Sequence, residues 1–420
     1  MSPVQLAVHL FVQIAIILVA CQIVGWFARR VGQPQVMAEM IAGVLLGPSL
    51  VGLFWPTLFA QMFPAESMRV LFPVSQLGLS AYMFVVGLEF HVGIIRTHLR
   101  SAIAVSIVGM VTPFVLGAAV GWYFFQHSTL LPPRTSLFEA MLFLGASMCI
   151  TAFPMLARII QFKRLTGTTM GTVSLGAGAI NDAAAWCLLA IVLASIDDDF
   201  GHAALTIGGG LGYVALATGI IRPLLLRWSR AIEERGDLSE GEFVGCVILL
   251  SLGAAFTEAI GLHAVFGAFV MGAVIPRGVM TRALIERVHP LTAALLLPLF
   301  FTYSGLNTQI GLLNSAYLWG VAGLILVVAI AGKGIACWLA ARATGVAHRE
   351  ALGIGTLMNV RGLMELIIIN IGLQRGIITP VLFTALALMA VVTTLMASPV
   401  FEWLAGSERR RKGETEGLRD

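Results

Sequence analysis

The chain has 420 residues, of which 58% are hydrophobic and only 11% are charged. Soluble globular domains carry roughly 25% charged residues, and a water-soluble fold of this composition would expose more apolar surface than it tolerates. The composition therefore excludes an ordinary soluble protein and predicts a membrane protein. The formal net charge of +4 does not indicate nucleic-acid binding, because the basic residues lie between apolar runs.

Thirteen segments are predicted to cross the membrane, since a membrane helix needs about 20 mostly apolar residues. Their limits are 4–27, 36–54, 70–90, 101–125, 137–160, 168–195, 203–226, 243–257, 261–275, 291–306, 316–341, 351–373 and 380–404. The first has no basic stretch before it and no small-residue cleavage site after it, so we expect a retained helix and not a signal peptide. Residues 1–404 thus form a transmembrane domain, and 405–420 are expected to be a short cytoplasmic tail.

The basic residues between the segments predict the orientation of the chain. Of the 26 Lys and Arg residues, Lys333 and Arg361 lie within segments, three lie in loops on one side of the membrane (Arg69, Arg134 and Arg375), and the other 21 lie on the opposite side. Cytoplasmic loops are rich in Lys and Arg. We therefore expect an external N-terminus and a cytoplasmic C-terminus in a multi-pass protein of the cell membrane.

Segment five is predicted to be interrupted in mid-membrane. It contains Thr151-Ala-Phe153-Pro154, and a proline inside a helix removes a backbone donor and clashes with the preceding turn. The helix should therefore open near Thr151 to Phe153. Transporters often place ion sites at such breaks, because the carbonyls and helix ends exposed there can coordinate ions.

Segment six carries the deepest ionisable group, Asp182. A charged group at the bilayer centre costs at least about 2.5–3.5 kcal/mol, and no basic residue lies one turn away on the same helix to neutralise it. Desolvation should favour its protonated form, so that protons and cations compete for it. That competition is the minimum chemistry of an exchanger, and Asn181 adds an amide beside it. The alternative is a structural Asp182 that caps a neighbouring helix or pairs with Lys333.

Segments eleven and twelve carry the remaining buried charges. Lys333 lies between two glycines and needs a counter-charge. In segment twelve, Asn359-Val-Arg361-Gly362 predicts a second helix break. Arg361 and Glu365 lie one turn apart, either as a structural bridge that also satisfies unwound carbonyls or in direct contact with substrate. If segments one to six and eight to thirteen are inverted repeats linked by the seventh, segments five and twelve correspond, and their broken helices should cross.

Other functions find little support in the sequence. It contains no nucleophile–base pair, no metal-ligand cluster and no phosphate-binding loop, so we expect no enzyme, no bound metal and no cofactor. The five cysteines lie inside apolar runs without ligand spacing and are interpreted as packing residues. Glu39, Glu89 and Glu258 lie near segment ends, where a side chain reaches water, and we interpret Glu39 and Glu89 as mouth or helix-end groups.

Five motifs that follow one another along the chain carry a family resemblance. They lie at residues 150–158, 179–186, 261–272, 300–306 and 358–374. Together they resemble the monovalent cation:proton antiporter family of type 2, within the sodium/proton exchanger superfamily, and especially its plant and fungal cation/proton exchangers.

The resemblance implies a thirteen-helix sodium/proton antiporter fold and a homodimer with elevator-like motion of a core domain. Dimer-type helices would lie at 4–90 and 243–306, core helices at 101–195 and 316–404, and a linker helix at 203–226. The resemblance assigns Asp182 as the carrier of ion and proton, with Asn181 beside it and Thr151 as a ligand.

The resemblance also bears on stoichiometry and substrate. Asn181-Asp182 is the arrangement usual in electroneutral exchangers, so one cation is expected per proton, although Lys333 matches a lysine of electrogenic relatives. The expected cation is Na⁺ or K⁺, between which the sequence does not decide, because oxygen ligands bind both. Alternatives on a similar architecture are a sodium-coupled symporter of organic anions and a potassium efflux pathway.

Overall fold

The computed structural model describes residues 2–31, 33, 35–90, 92–197, 200–306 and 313–416, and within these ranges it contains helices and no strand. The helices in chain order are α1 (Pro3–Arg30), α2 (Gln35–Leu46), α3 (Val51–Phe54), α4 (Pro56–Met62), α5 (Ala65–Glu89), α6 (Val92–His127), α7 (Leu137–Cys149), α8 (Phe153–Phe162), α9 (Thr169–Asp197), α10 (Phe200–Leu216), α11 (Arg222–Arg235), α12 (Glu240–Ala259), α13 (Ala264–Val274), α14 (Val279–Leu291), α15 (Leu297–Leu306), α16 (Ala316–Ala343), α17 (His348–Leu357), α18 (Leu363–Gln374) and α19 (Pro380–Glu416). Short π-helical turns, Ala217–Ile221 and Thr292–Leu296, join α10 to α11 and α14 to α15.

The predicted all-helical membrane fold is confirmed. Nine helical stretches within the described ranges are long and apolar enough to cross a membrane, and they correspond to predicted segments one to four, seven, eight, ten, eleven and thirteen. Segment six corresponds to α9 and segment nine to the short α13, whereas segments five and twelve each consist of two short helices. The count of thirteen spans stays a prediction.

Several stretches predicted to be connections or tail are helical, among them 227–235 at the end of α11. α4 follows segment two, α14 extends segment ten towards its N-terminus, and α19 continues through Glu416 into the predicted tail. α14 carries Arg282 and Arg287, and a helix with charges on one face lacks the continuous apolar run by which membrane helices are recognised. The last four residues of the predicted tail lie outside the described ranges.

The chain divides into two compact units. The first comprises residues 1–23, 39–91 and 186–307, and the second comprises residues 24–38, 92–185 and 308–420. Within the first unit α5 packs against α13 and α15, and within the second α16 packs against α6, α17 and α19. The assignment of dimer-type and core helices to particular residues stays a prediction.

Two glycines let α6 and α7 of the second unit approach closely. A Cβ on Gly117 would lie 2.6 Å from the carbonyl oxygen of Leu144, and one on Gly121 would lie 2.6 Å from that of Ala140. The Gly-x-x-x-Gly spacing places both glycines on one face of α6, as in other closely packed membrane helices. The contact fixes the position of α7, whose C-terminal end reaches the candidate site.

Candidate functional site

Both predicted helix breaks are present, and both lie in the second unit. α7 ends at Cys149 and α8 begins at Phe153, and the three residues between them are not helical. Pro154 is the second residue of α8, where a missing backbone donor costs no helical hydrogen bond. The proline therefore starts a new helix and does not kink an existing one. α17 ends at Leu357 and α18 begins at Leu363.

The two interruptions are bonded to each other. The backbone N–H of Ala152 donates to the carbonyl of Val360 at 3.1 Å. The hydroxyl of Thr151 donates to the carbonyl of Met358 at 3.3 Å. Backbone groups without a helical partner in one interruption are thus hydrogen-bonded to the other interruption, since buried backbone N–H and C=O groups need partners.

Asn359 and Gly362 lie in the second interruption. The amide Nδ2 of Asn359 donates to the carbonyl of Gly355 at 3.0 Å, which ties the break back to α17. Gly362 permits the two interruptions to approach, since a Cβ there would lie only 3.0 Å from the Cβ of Ala152. Its backbone is extended, with φ 172°, so close approach and not conformational freedom favours glycine at this position.

Asp182 lies on α9, and only 4% of its surface is exposed. The backbone N–H of Phe153, the first residue of α8, donates to its carboxylate. A helix N-terminus carries about half a positive charge and stabilises an anion. Within the described ranges, Oδ1 of Asp182 has no hydrogen-bond partner. A buried carboxylate oxygen of this kind can accept a proton or coordinate a cation.

A chain of hydrogen bonds connects Asn181 and Thr151 to α6. The hydroxyl of Ser106 donates to Oδ1 of Asn181 at 2.6 Å, and Nδ2 of Asn181 lies 3.5 Å from the hydroxyl of Thr151, to which it donates. All three side chains are buried. Asn181 therefore positions Thr151. Sequence reasoning missed Ser106, because a lone serine in an apolar helix most simply bonds its own backbone.

The two buried cations hold the C-terminal end of α7. Nζ of Lys333 donates to the carbonyl of Cys149. The guanidinium of Arg361 donates to the carbonyl of Met148 at 2.6 Å and to that of Ser147 at 3.3 Å. The last carbonyls of a helix lack helical partners and carry partial negative charge. The cations thus satisfy a helix end in the interior of the unit.

The ion pair of Arg361 and Glu365 also forms. Nη1 of Arg361 lies 3.4 Å from Oε2 of Glu365, and both side chains are fully buried. Since the same guanidinium holds α7, the geometry favours the structural bridge over substrate contact. Among the described residues, no ion pair joins Lys333 to Asp182, so the sequence alternative in which they neutralise each other is not the arrangement found. The other structural alternative, in which Asp182 caps a neighbouring helix, agrees with the hydrogen bond from Phe153 at the start of α8.

A hydrogen-bond contact between α19 and the second interruption was not predicted from the sequence. Thr394 of α19 accepts the backbone N–H of Arg361 at 3.0 Å, and its hydroxyl lies 2.8 Å from the Arg361 carbonyl. Both backbone groups belong to the non-helical stretch between α17 and α18. Thr394 therefore fixes the backbone from which the guanidinium reaches α7.

Glu39 differs from the sequence expectation. It lies in α2, in the first unit, with 1% of its surface exposed, and not at a water-facing helix end. The hydroxyl of Thr302 donates to its backbone carbonyl at 3.2 Å. Whether a residue near the end of a segment meets water depends on the neighbouring helices, which the local sequence does not specify.

Comparisons with known proteins agree with the predicted family. A family model described as sodium/hydrogen exchanger, transmembrane, matches residues 15–405. The chain is 41% identical over 390 residues to the Na(+)/H(+) antiporter NhaS4 of Synechocystis sp., covering 92% of this chain and 95% of that protein. It is 33% identical over 415 residues to the K(+)/H(+) antiporter 1 of Saccharomyces cerevisiae, covering 95% of this chain and 46% of that protein, so it spans about half of that relative's length.

A solved structure shares the fold. The sodium proton antiporter MjNhaP1 from Methanocaldococcus jannaschii aligns with a TM-score of 0.63, covering 94% of this chain and 96% of that one. The sequences are 15% identical over the alignment. At this identity the likeness concerns the helical architecture alone.

Proposed function

Because this chain belongs to the sodium/hydrogen exchanger family, we propose that it exchanges a monovalent cation for a proton across a membrane, with Asp182 binding each in turn. The observation that carries the proposal is the buried Asp182 carboxylate, bonded to the N-terminal end of α8 while one oxygen has no partner among the described residues. Such an oxygen binds a proton or a cation, but not both at once. We propose a transporter without enzymatic activity or a cofactor.

The exchange cycle rests on charge neutralisation. A cation coordinated by Asp182 and the Thr151 hydroxyl displaces the proton, and the loaded carboxylate then crosses the apolar barrier. The empty anion is held back, since an unneutralised charge in the membrane is costly. We propose that the second unit moves as one body in an elevator-type cycle. In support, every side chain of the candidate site belongs to that unit.

We propose an electroneutral stoichiometry of one cation for one proton. Asn181 is not ionisable and is engaged by Ser106. Lys333 donates to the Cys149 carbonyl at the end of α7, so its amine has a structural role. We propose that Lys333 keeps one protonation state and that Asp182 is the group whose charge changes during the cycle. Sodium-driven proton movement that is insensitive to an imposed membrane potential would support this stoichiometry, whereas acceleration by the potential would contradict it.

Cation identity, orientation and assembly also belong to the proposal. The relatives' names include both Na⁺ and K⁺, so we propose a monovalent cation without choosing between them. We propose an external N-terminus, a cytoplasmic C-terminus and a homodimer in the cell membrane. Labelling of cysteines introduced at each terminus in intact cells tests the orientation. The molecular mass of the purified protein in detergent tests whether it is a dimer.

The decisive experiment measures fluorescence dequenching of a pH-sensitive dye in proteoliposomes after addition of sodium, potassium, lithium or rubidium chloride across a range of pH. Asp182→Asn should abolish cation-dependent proton movement. Asp237→Asn is the matched control, because Asp237 is exposed and forms a long ion pair with Arg287, at 3.9 Å. This variant should behave as wild type.

Other outcomes would change the assignment. Proton movement that persists in a folded Asp182→Asn variant would remove Asp182 from the mechanism. A requirement for an organic anion would indicate the symporter, and current without proton coupling would indicate the potassium pathway.

A further inference from the structure

An aromatic groove of the first unit lies between α4, α5 and α15. Its volume is about 480 Å³. Four of its lining residues are aromatic, namely Phe59, Phe63, Phe72 and Tyr303. The ring centroids of Phe59 and Phe63 are 5.9 Å apart, and those of Phe72 and Tyr303 are 5.6 Å apart. The walls of the groove therefore offer flat apolar surface to a hydrocarbon chain.

One charged residue, Arg69 of α5, lines the groove in the described part of the chain. Arg69 is exposed, so its guanidinium is accessible to a ligand. Glu66, one turn away, is also exposed, does not line the groove and forms no ion pair with Arg69 within the described ranges. A guanidinium presents a planar set of donors that matches the oxygen atoms of a phosphate. The groove thus combines a binding group for an anion with apolar walls.

The groove lies at the depth at which lipid headgroups are expected. Predicted segment three begins at residue 70, so Arg69 lies at the edge of the hydrocarbon layer. Phe72, one turn further along α5, is 45% exposed, and a large apolar side chain exposed on a membrane-spanning helix contacts lipid. A lipid can therefore place its headgroup at Arg69 and its hydrocarbon against the rings.

We propose that this groove binds one anionic phospholipid, of the phosphatidylglycerol type. The phosphate accepts hydrogen bonds from the Arg69 guanidinium, and the upper part of an acyl chain packs against the aromatic rings. A neutral lipid would leave Arg69 without an anion. A zwitterionic phospholipid would bring an ammonium group, for which the lining residues in the described ranges include no carboxylate.

The test compares lipids that share their acyl chains and differ in their headgroups. Purified, delipidated protein is titrated with dioleoyl-phosphatidylglycerol, dioleoyl-phosphatidylcholine or dioleoylglycerol, and bound lipid is counted by native mass spectrometry. Wild type should bind phosphatidylglycerol about tenfold more tightly than dioleoylglycerol, as expected for a charge-assisted hydrogen bond, and more tightly than phosphatidylcholine. Arg69→Gln removes the charge and should reduce the tenfold preference to less than about threefold.

A matched control and a second groove variant complete the test. Arg375→Gln removes the same charge from an exposed arginine that is predicted to lie on the same side of the membrane but does not line the groove; it should retain the full preference. Phe72→Ala removes one ring and should weaken binding of all three lipids. Soluble glycerol phosphate should not displace the phospholipid, because it has no chain to contact the rings. If Arg69→Gln does not fold, the wild-type comparison and Phe72→Ala still decide.

Several results would overturn the proposal. Equal binding of phosphatidylglycerol and dioleoylglycerol by wild type would show that no phosphate is recognised, and tighter binding of phosphatidylcholine would show that the rings hold an ammonium group. A full preference in Arg69→Gln, or unchanged binding in Phe72→Ala, would place the lipid elsewhere. Loss of the preference in Arg375→Gln would reduce it to general charge attraction.

Two outcomes would assign the groove to another occupant. Displacement of the phospholipid by glycerol phosphate would make the ligand a soluble anion. If the groove variants changed the oligomeric state and not lipid binding, the groove would be covered by a second copy of the chain. Because the readout is binding, the outcome does not depend on the proposed exchange activity.

Discussion

Two buried serines offer a direct test of the hydrogen-bond chain that joins Ser106, Asn181 and Thr151. Ser106 donates to Asn181 at 2.6 Å, whereas the hydroxyl of Ser174, on α9, has no partner in the described part of the chain. Both side chains are buried, with 2% and 0% of their surfaces exposed. Ser→Ala removes one oxygen atom at each position, so the pair isolates the hydrogen bond from the change in packing.

The two substitutions should change the free energy of unfolding by different amounts or in opposite directions. Ser106→Ala leaves Oδ1 of Asn181 as a buried acceptor without a donor, which costs about 1–3 kcal/mol. Ser174→Ala removes a buried hydroxyl that makes no hydrogen bond, so it should be neutral or slightly stabilising. For a chain of this length, the expected fall in Tm of the Ser106 variant is about 2–5 °C.

Thermal unfolding in detergent, followed by tryptophan fluorescence, measures the stability difference, and proteoliposome assays measure exchange. The KM for the cation should rise in Ser106→Ala, because Asn181 no longer holds the Thr151 hydroxyl in place, and should not change in Ser174→Ala. Equal losses of stability in both variants would refute the reasoning, since the loss would then arise from packing and not from the hydrogen bond.

Three other predictions follow from the same site. If proton and cation compete at Asp182, the apparent KM for the cation should rise about tenfold for each pH unit below the point of half protonation; a KM that is constant between about pH 6 and 9 would contradict competition. Lys333→Met should lower the free energy of unfolding by about 1–3 kcal/mol, because the Cys149 carbonyl loses its donor. Exchange should persist in this variant and stay insensitive to membrane potential, whereas a folded variant without exchange would give Lys333 a direct role. Arg361→Met leaves Glu365 as an unpaired buried charge and should lower the free energy of unfolding by about 3–5 kcal/mol. Adding Glu365→Gln should recover part of this stability in thermal unfolding. No recovery would mean that loss of the ion pair does not cause the destabilisation.

Local sequence signals were sufficient for the helix interruptions. Pro154 lacks the backbone N–H needed to continue a preceding helix, and Asn359-Val-Arg361-Gly362 is likewise a local break signal, so both interruptions can be predicted without knowledge of the rest of the fold. The apolar runs likewise predicted the membrane helices, because the bilayer imposes the same requirement on each of them.

The partners across the site could not be predicted in this way. Thr151 bonds to Met358, which is 207 residues away in sequence, and Lys333 bonds to Cys149 at a separation of 184. The sequence suggested a carboxylate for Lys333, because formal charges are visible in a sequence. The partial charge of a helix end is visible only when the position of that helix is known.

The bond that joins the two interruptions runs between backbone atoms, from the N–H of Ala152 to the carbonyl of Val360. It does not depend on the identity of either side chain, whereas the hydroxyl of Thr151 beside it belongs to the side chain. In the proposed cycle, a substitution of Thr151 would therefore change an ion ligand and leave the backbone bond between the two interruptions in place. A larger residue at position 362 would instead push the two interruptions apart, because a Cβ on Gly362 would lie only 3.0 Å from the Cβ of Ala152.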